Sequence, residues 1–309
     1  MDRVSGSRWG RRIEVPGLRG AFAVLVILAV AFSAGMLLFA QKATAQSGEA
    51  GFLAAEGVPP PGANDPSCEP EAGKEDPVVL VHGTFESMEQ NWAVVSPALR
   101  AEGYCVYALN YGDRGLGPIQ ESAEELDEFV GNVRALTGAG KVDIVGHSQG
   151  GMMPRYWIKN LGGRAEVDDL VGLAPSNHGT EGSASRLEAE PSDWGVAAGS
   201  EVPEEYGPCV SCEQQQRGSE FLRRLNRGDE TPGRISYTVI ATRYDEVIVP
   251  YELSFLRGSP KRLTSNITLQ EYNPLNPAIH QTIYNDPDAF RLVLDALANP
   301  GPADPERAA

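Results

Sequence analysis

The chain has 309 residues, 41% of them hydrophobic, which is enough for a sizeable core. With 42 acidic against 26 basic residues its formal charge is −16 at pH 7, which excludes the basic footprint of a nucleic-acid binder. One large α/β domain suits this length better than two small ones.

Arg3, Arg8, Arg11, Arg12 and Arg19 precede the apolar run AFAVLVILAVAFSAGMLLFA at 21–40, and Ala43-Thr44-Ala45 supplies a small-residue cleavage signal. Residues 1–45 therefore read as a secretory leader. The apolar run is also long enough to cross a bilayer, so residues 21–40 kept as a membrane anchor are the alternative. Without residues 1–45 the chain carries 20 basic and 40 acidic residues.

Residues 46–76 are rich in Gly, Pro, Ala and Glu, lack any period, and are expected to be a flexible linker. Order is expected to begin at Pro77, where PVVLV (77–81) is a short apolar run of the kind that makes a strand buried on both faces. Ser96 followed by Pro97 suggests a helix start, closed by Gly103. CVYAL (105–109) is the next strand. Ser122 and Glu125 have the spacing of a capping box for a helix that Gly138 ends. VDIV (142–145) returns to strand. Met152, Met153, Tyr156, Trp157 and Leu161 then recur at helical spacing, and those on one face are expected to pack on the sheet.

LVGLA (170–174) and ISYTVIA (235–241) are further strands. The stretch between them is longer than a crossover needs, so about 182–233 is expected to form a cap or lid, with Phe221, Leu222 and Leu225 as its apolar stripe. Asn266-Ile267-Thr268 has the pattern of a glycosylation acceptor. Asp286-Pro287 opens the last helix. The catalytic domain is thus expected over 77–300, with 301–309 a disordered tail. Strands alternating with helices imply an α/β fold with a mostly parallel central sheet flanked by helices.

Four cysteines permit three pairings, and an exported chain meets oxidising conditions. Cys68 with Cys105 and Cys209 with Cys212 are the expected disulfides. The CxxC at 209–212 has no second CxxC, and the chain holds four histidines. A structural bridge is therefore favoured over a zinc or redox site.

Gly146-His147-Ser148-Gln149-Gly150 is a GxSxG set between an expected strand and an expected helix. Flanking glycines allow a turn sharp enough to lift the serine hydroxyl off the sheet, and the helix start aims free N–H groups at the same spot. Ser148 is the expected nucleophile. A serine hydroxyl attacks poorly without a base, and in proteins built on this turn the acid and then the histidine follow the serine. That order sets aside His82 and His147. His178 precedes every plausible acid, whereas His280 follows Asp245, so His280 is the expected base. Asp245, just past the ISYTVIA strand, is the expected acid, with Glu246 its rival. The backbone N–H groups of Gln149 and of Thr84, in the turn after the first strand, are the expected oxyanion donors. No metal-ligand cluster is apparent, and Gly112–Gly117 runs into Pro118 rather than a dinucleotide-binding helix, so no cofactor is expected.

VHGTFESMEQNW, GYCVYALNYG, VDIVGHSQGGMMPRYW, APSNHGT and YTVIATRYDEVIVP together resemble the secreted class 2 triacylglycerol lipases and esterases of bacteria, across about residues 66–298. The resemblance implies the α/β-hydrolase fold, a Ser148–His280–Asp245 triad, an oxyanion hole at Thr84 and Gln149, and lipid-like ester substrates met in solution or at a lipid interface. The chain departs from this pattern in LQEYNPLNPAIHQ, which has no cysteine before the histidine. An acyltransferase using the same triad and a catalytically idle envelope-binding module are the alternatives. Oligomeric state is not legible.

Overall fold

The computed structural model describes residues 51–55, 57–181, 208–258 and 263–309. The expected leader and residues 182–207 of the expected cap lie outside them.

Six strands form one sheet: β1 (Val78–Val81), β2 (Val106–Leu109), β3 (Val142–His147), β4 (Val167–Leu173), β5 (Ser236–Ala241) and β6 (Thr264–Thr268). Their spatial order is β2-β1-β3-β4-β5-β6, and every neighbouring pair is parallel. Parallel pairing needs long return connections, and helices supply most of them. The main ones are α1 (Val95–Ala101), α2 (Ile119–Thr137), α3 (Gln149–Asn160), α4 (Val210–Gln214), α5 (Glu220–Leu225) and α6 (Pro287–Ala298).

Successive strand residues point to opposite faces, so each strand feeds two cores. Val79, Val81, Tyr107, Ile144 and Val239 pack with Phe129 and Val133 of α2 and with Met152, Met153 and Trp157 of α3. Val78, Leu80, Val106, Val145 and Ile240 pack with Leu99 of α1 and with Leu292 and Val293 of α6. Burial on both faces is why VVLV and VYAL are apolar without alternation. The strand order turns back at β1, which has β2 on one side and β3 on the other. The loops leaving the C-terminal ends of β1 and β3 therefore diverge, opening the crevice where sheets of this kind hold ligands.

Several expectations need correction. The described part of the expected linker packs on the sheet. Asn64 hydrogen-bonds to β2, Ser96 Oγ donates to the Pro61 carbonyl at 2.9 Å, and Cys68 is bonded to Cys105. α1 begins one residue before Ser96, which is inside the helix. The expected capping box does not form. α2 instead begins at Ile119, with Pro118 at the cap position four residues before Ser122; Ser122 Oγ donates back to the Pro118 carbonyl, and Glu125 accepts the Gly112 N–H. β6 was not foreseen, because TSNIT at the sheet edge carries no apolar run. Its Asn266 side chain both donates to and accepts from the Leu256 main chain, so the expected glycosylation acceptor serves as a brace.

The expected lid stripe is core. Phe221, Leu222 and Leu225 of α5 are buried with α3, and the Phe221 ring lies 5.7 Å from that of Tyr156. The expected disordered tail is docked: Asp304 caps a terminal helical turn, Arg307 Nη2 sits 2.7 Å from Asp295 Oδ2, and Tyr272 donates to the Ala308 carbonyl. The second expected disulfide, Cys209–Cys212, is present. Cys209 caps α4 by accepting the Cys212 N–H. Asp286 caps α6 as expected. Among the described residues no helix is long and apolar enough to cross a membrane.

Candidate active site

β3 ends at His147 and α3 starts at Gln149, leaving Ser148 as the whole of the turn between them. Its φ of 52° and ψ of −119° lie in a region that L-residues rarely occupy. Packing imposes this conformation. The Ser148 N–H donates to the Leu173 carbonyl of β4 at 2.9 Å. A Cβ at residue 146 would overlap the Gly150 carbonyl, and one at residue 150 would overlap the Val81 carbonyl. These glycines are therefore needed for close approach of the strand, the helix start and β1, as well as for the turn. The serine sits at the C-terminal sheet edge, 4% exposed.

His280 and Asp245 meet at the same edge, brought there by the loop before α6 and the loop after β5. His280 Nδ1 is 3.0 Å from Asp245 Oδ2, and both side chains are buried. The other carboxylate oxygen, Oδ1, accepts the N–H groups of Val247 (3.0 Å) and Ile248 (2.7 Å), so Asp245 is held as an acceptor on both sides. Glu246, the rival acid, instead accepts the backbone N–H of His280 at 3.1 Å. The His280 main chain abuts the elbow: its carbonyl is 3.1 Å from His147 Nε2, and the two rings lie 4.9 Å apart.

Thr84 and Gln149 also converge. Register pairs Val81 of β1 with Gly146 of β3, so the turn after β1 faces the start of α3. Gln149 occupies the first turn of α3, where backbone N–H groups lack partners within the helix. Thr84 Oγ1 donates to Gln149 Oε1 at 2.6 Å. Gln215, just past α4, donates from Nε2 to both Thr84 Oγ1 (3.0 Å) and Gln149 Oε1 (2.9 Å), while Ser176 Oγ donates to Gln215 Oε1.

The remaining histidines have other partners. His82 stacks on Tyr111 with ring centroids 4.3 Å apart, and burial drives its imidazole down to about 4, which leaves it neutral. His178 lies 3.1 Å from the Leu253 carbonyl and 3.3 Å from Glu230 Oε1. His147 is paired with Glu86 at 2.9 Å, a contact with no counterpart in the sequence reading. Burial opposes ionisation of Glu86, but the facing His147 ring and the Gly83 N–H hold the carboxyl below its ordinary value. Glu86 lies within VHGTFESMEQNW, but nothing local in that segment points to His147, so only the folded chain reveals the pair. Far from this edge, at the N-terminal ends of β1, β3 and β4, Asp76, Asp143 and Asp168 each bring one oxygen within 4.8 Å of the others.

A strained serine hydroxyl, an imidazole backed by a carboxylate and N–H groups at a helix start are the parts used for acyl transfer through a covalent intermediate. The fold carrying them is the α/β-hydrolase fold. The family model described as lipase (class 2) matches residues 75–284, and the chain belongs to this family. A triacylglycerol lipase from Pseudarthrobacter phenanthrenivorans is 37% identical over 92 residues, covering 26% of this chain and 27% of that protein. One from Burkholderia plantarii is also 37% identical over 92 residues, covering 26% of this chain and 24% of its own. The chain thus matches about a quarter of the length of these relatives. The crystal structure of Aspergillus fumigatus lipase B superposes with a TM-score of 0.63 at 26% identity, covering 76% of this chain and 55% of that one.

Proposed function

We propose that this protein is an exported carboxylic ester hydrolase acting on lipid-like esters through Ser148, His280 and Asp245. The observation that carries this reading is the buried Asp245–His280 pair, closed against the residue that precedes the strained Ser148. His280 is tied to Asp245 through Nδ1, which leaves Nε2 as the base. It takes the Ser148 proton as Oγ attacks the acyl carbon, and the negative charge passes to the former carbonyl oxygen. The N–H groups of Gln149 and Thr84 meet that oxyanion, and removing such a donor typically costs about 3 to 4 kcal/mol of barrier. Collapse breaks the ester bond, the alcohol leaves with the proton returned by His280, and water repeats the sequence to free the acid. Asp245 holds the ring in the required tautomer and stabilises the imidazolium without taking its proton.

Family membership supports lipid-like substrates. The basic and apolar stretch at 1–45 and the two disulfides support export to an oxidising compartment. Wild-type protein is expected to react with a fluorophosphonate probe and to cleave nitrophenyl esters, and Ser148→Ala to do neither while keeping its thermal midpoint. Turnover by Ser148→Ala at the wild-type rate would refute the assignment. Product analysis with water and an alcohol in competition separates hydrolysis from acyl transfer.

A further inference from the structure

We propose that Glu86 and His147 form a buried positioning pair that locks the main chain of His280 to the elbow and to the oxyanion loop, and so sets the turnover number. This rests on the reading of His280 as the base.

His147 is the last residue of β3, directly before Ser148, and both of its ring nitrogens are engaged. Nε2 faces the His280 carbonyl at 3.1 Å. A carbonyl oxygen only accepts, so Nε2 carries a proton. Nδ1 faces Glu86 Oε2 at 2.9 Å, and the same oxygen accepts the Gly83 N–H at 2.9 Å. The side chains of His147 and Glu86 are 1% and 4% exposed. One compact pair therefore joins Gly83, which precedes Thr84, to the main chain of His280, and one of its members is itself the residue before Ser148.

The surroundings leave this arrangement little room to change. The His147 ring lies 4.7 Å from the Tyr284 ring and 4.9 Å from the His280 ring. A Cβ at residue 83 would run into Glu86 Oε2 and His147 Nδ1, so glycine is required there for the pair to close on the main chain. A second acceptor, Asn91 Oδ1, meets the same Gly83 N–H at 3.0 Å.

The Asp245 contact and the Glu246 bond to the His280 N–H fix this residue from one side. The His147 bond to its carbonyl fixes it from the other. Without that second tether the imidazole can shift while keeping its carboxylate. A misplacement of about 1 Å costs on the order of a hundredfold in rate.

Two amides separate the functions of the ring, because Asn places its amide nitrogen near the position of Nδ1 and Gln near that of Nε2. His147→Asn is expected to keep the bond to Glu86 and lose the one to His280, lowering kcat about ten- to a hundredfold while KM changes less than about threefold. His147→Gln is expected to restore most of kcat. Rates are expressed per site titrated with fluorophosphonate, and thermal midpoints are recorded in parallel. If His147→Asn does not fold, Glu86→Ala is read by the same criterion. Unchanged kcat per titrated site, or equal losses in the Asn and Gln variants, would overturn the proposal. Failure of the wild type to be labelled would instead sink the triad reading on which it rests.

Discussion

Asp245 and Glu246 are adjacent carboxylates with different work. Asp245 meets the ring of His280, whereas Glu246 meets its backbone N–H. Asp245→Asn keeps the shape but favours the wrong ring tautomer, and kcat is expected to fall by about 10^3 to 10^4. Glu246→Gln keeps an acceptor for the N–H, so its loss is expected to be at least tenfold smaller; steady-state kinetics on one ester tests both. The strained turn at Ser148 was legible from sequence because a sharp strand-to-helix turn writes its demands locally, in glycines two residues either side. The meeting of Asp245 with His280 was legible too, from their order along the chain after the serine. Glu86 was not, since its partner lies 61 positions away and neither residue needs a neighbour of any particular type. His147 was visible as a residue but set aside by its place before the serine.

Elements with a clear apolar period were read correctly in kind, and their ends were read less well. Ser122 looked like a helix cap because its spacing to Glu125 is right, yet Pro118 starts α2 and its fixed φ suits a first turn. β6 and the terminal turn were missed because polar partners rather than apolar runs hold them in place. α4 illustrates how such partners reach the candidate site. Its disulfide-capped turn delivers Gln215, fully buried, to Thr84 and Gln149. Gln215→Leu would strand the buried Ser176 hydroxyl and leave the Gln149 oxygen with the Thr84 hydroxyl as donor, the unsatisfied group costing about 1 to 3 kcal/mol. A thermal midpoint lower by several degrees, together with a reduced kcat, is the expected outcome. Equal activity per titrated site would show that the network serves folding alone.

At the scale of the sheet, buried carboxyl groups gather at its N-terminal edge. At the N-terminal edge burial, and then the charge of Asp168, raise the Asp169 carboxyl to about 8, and Asp143 is pushed up by its own burial and by Asp169. An acid whose pKa rises on folding holds its proton more tightly when folded. Its contribution to stability is complete below the ordinary value of 3.8 and is lost as the pH climbs through about 8. Thermal midpoints measured from pH 4 to pH 8.5 are expected to decline on this account, and Asp169→Asn to flatten the decline. A slope identical to wild type would show that Asp169 does not titrate in this range.

β2 is the outermost strand of the sheet on its side, and an uncovered strand of this kind can recruit another chain. Asn64 prevents it. Its amide gives and receives one hydrogen bond each with Ala108, and its backbone N–H takes the Val106 carbonyl, so a single residue imitates a seventh strand where pairing would begin. Removing that imitation leaves the pleat open to a neighbour. Asn64→Ala is accordingly expected to give a scattering mass that grows more steeply with protein concentration than that of the wild type, with ester cleavage at high dilution preserved.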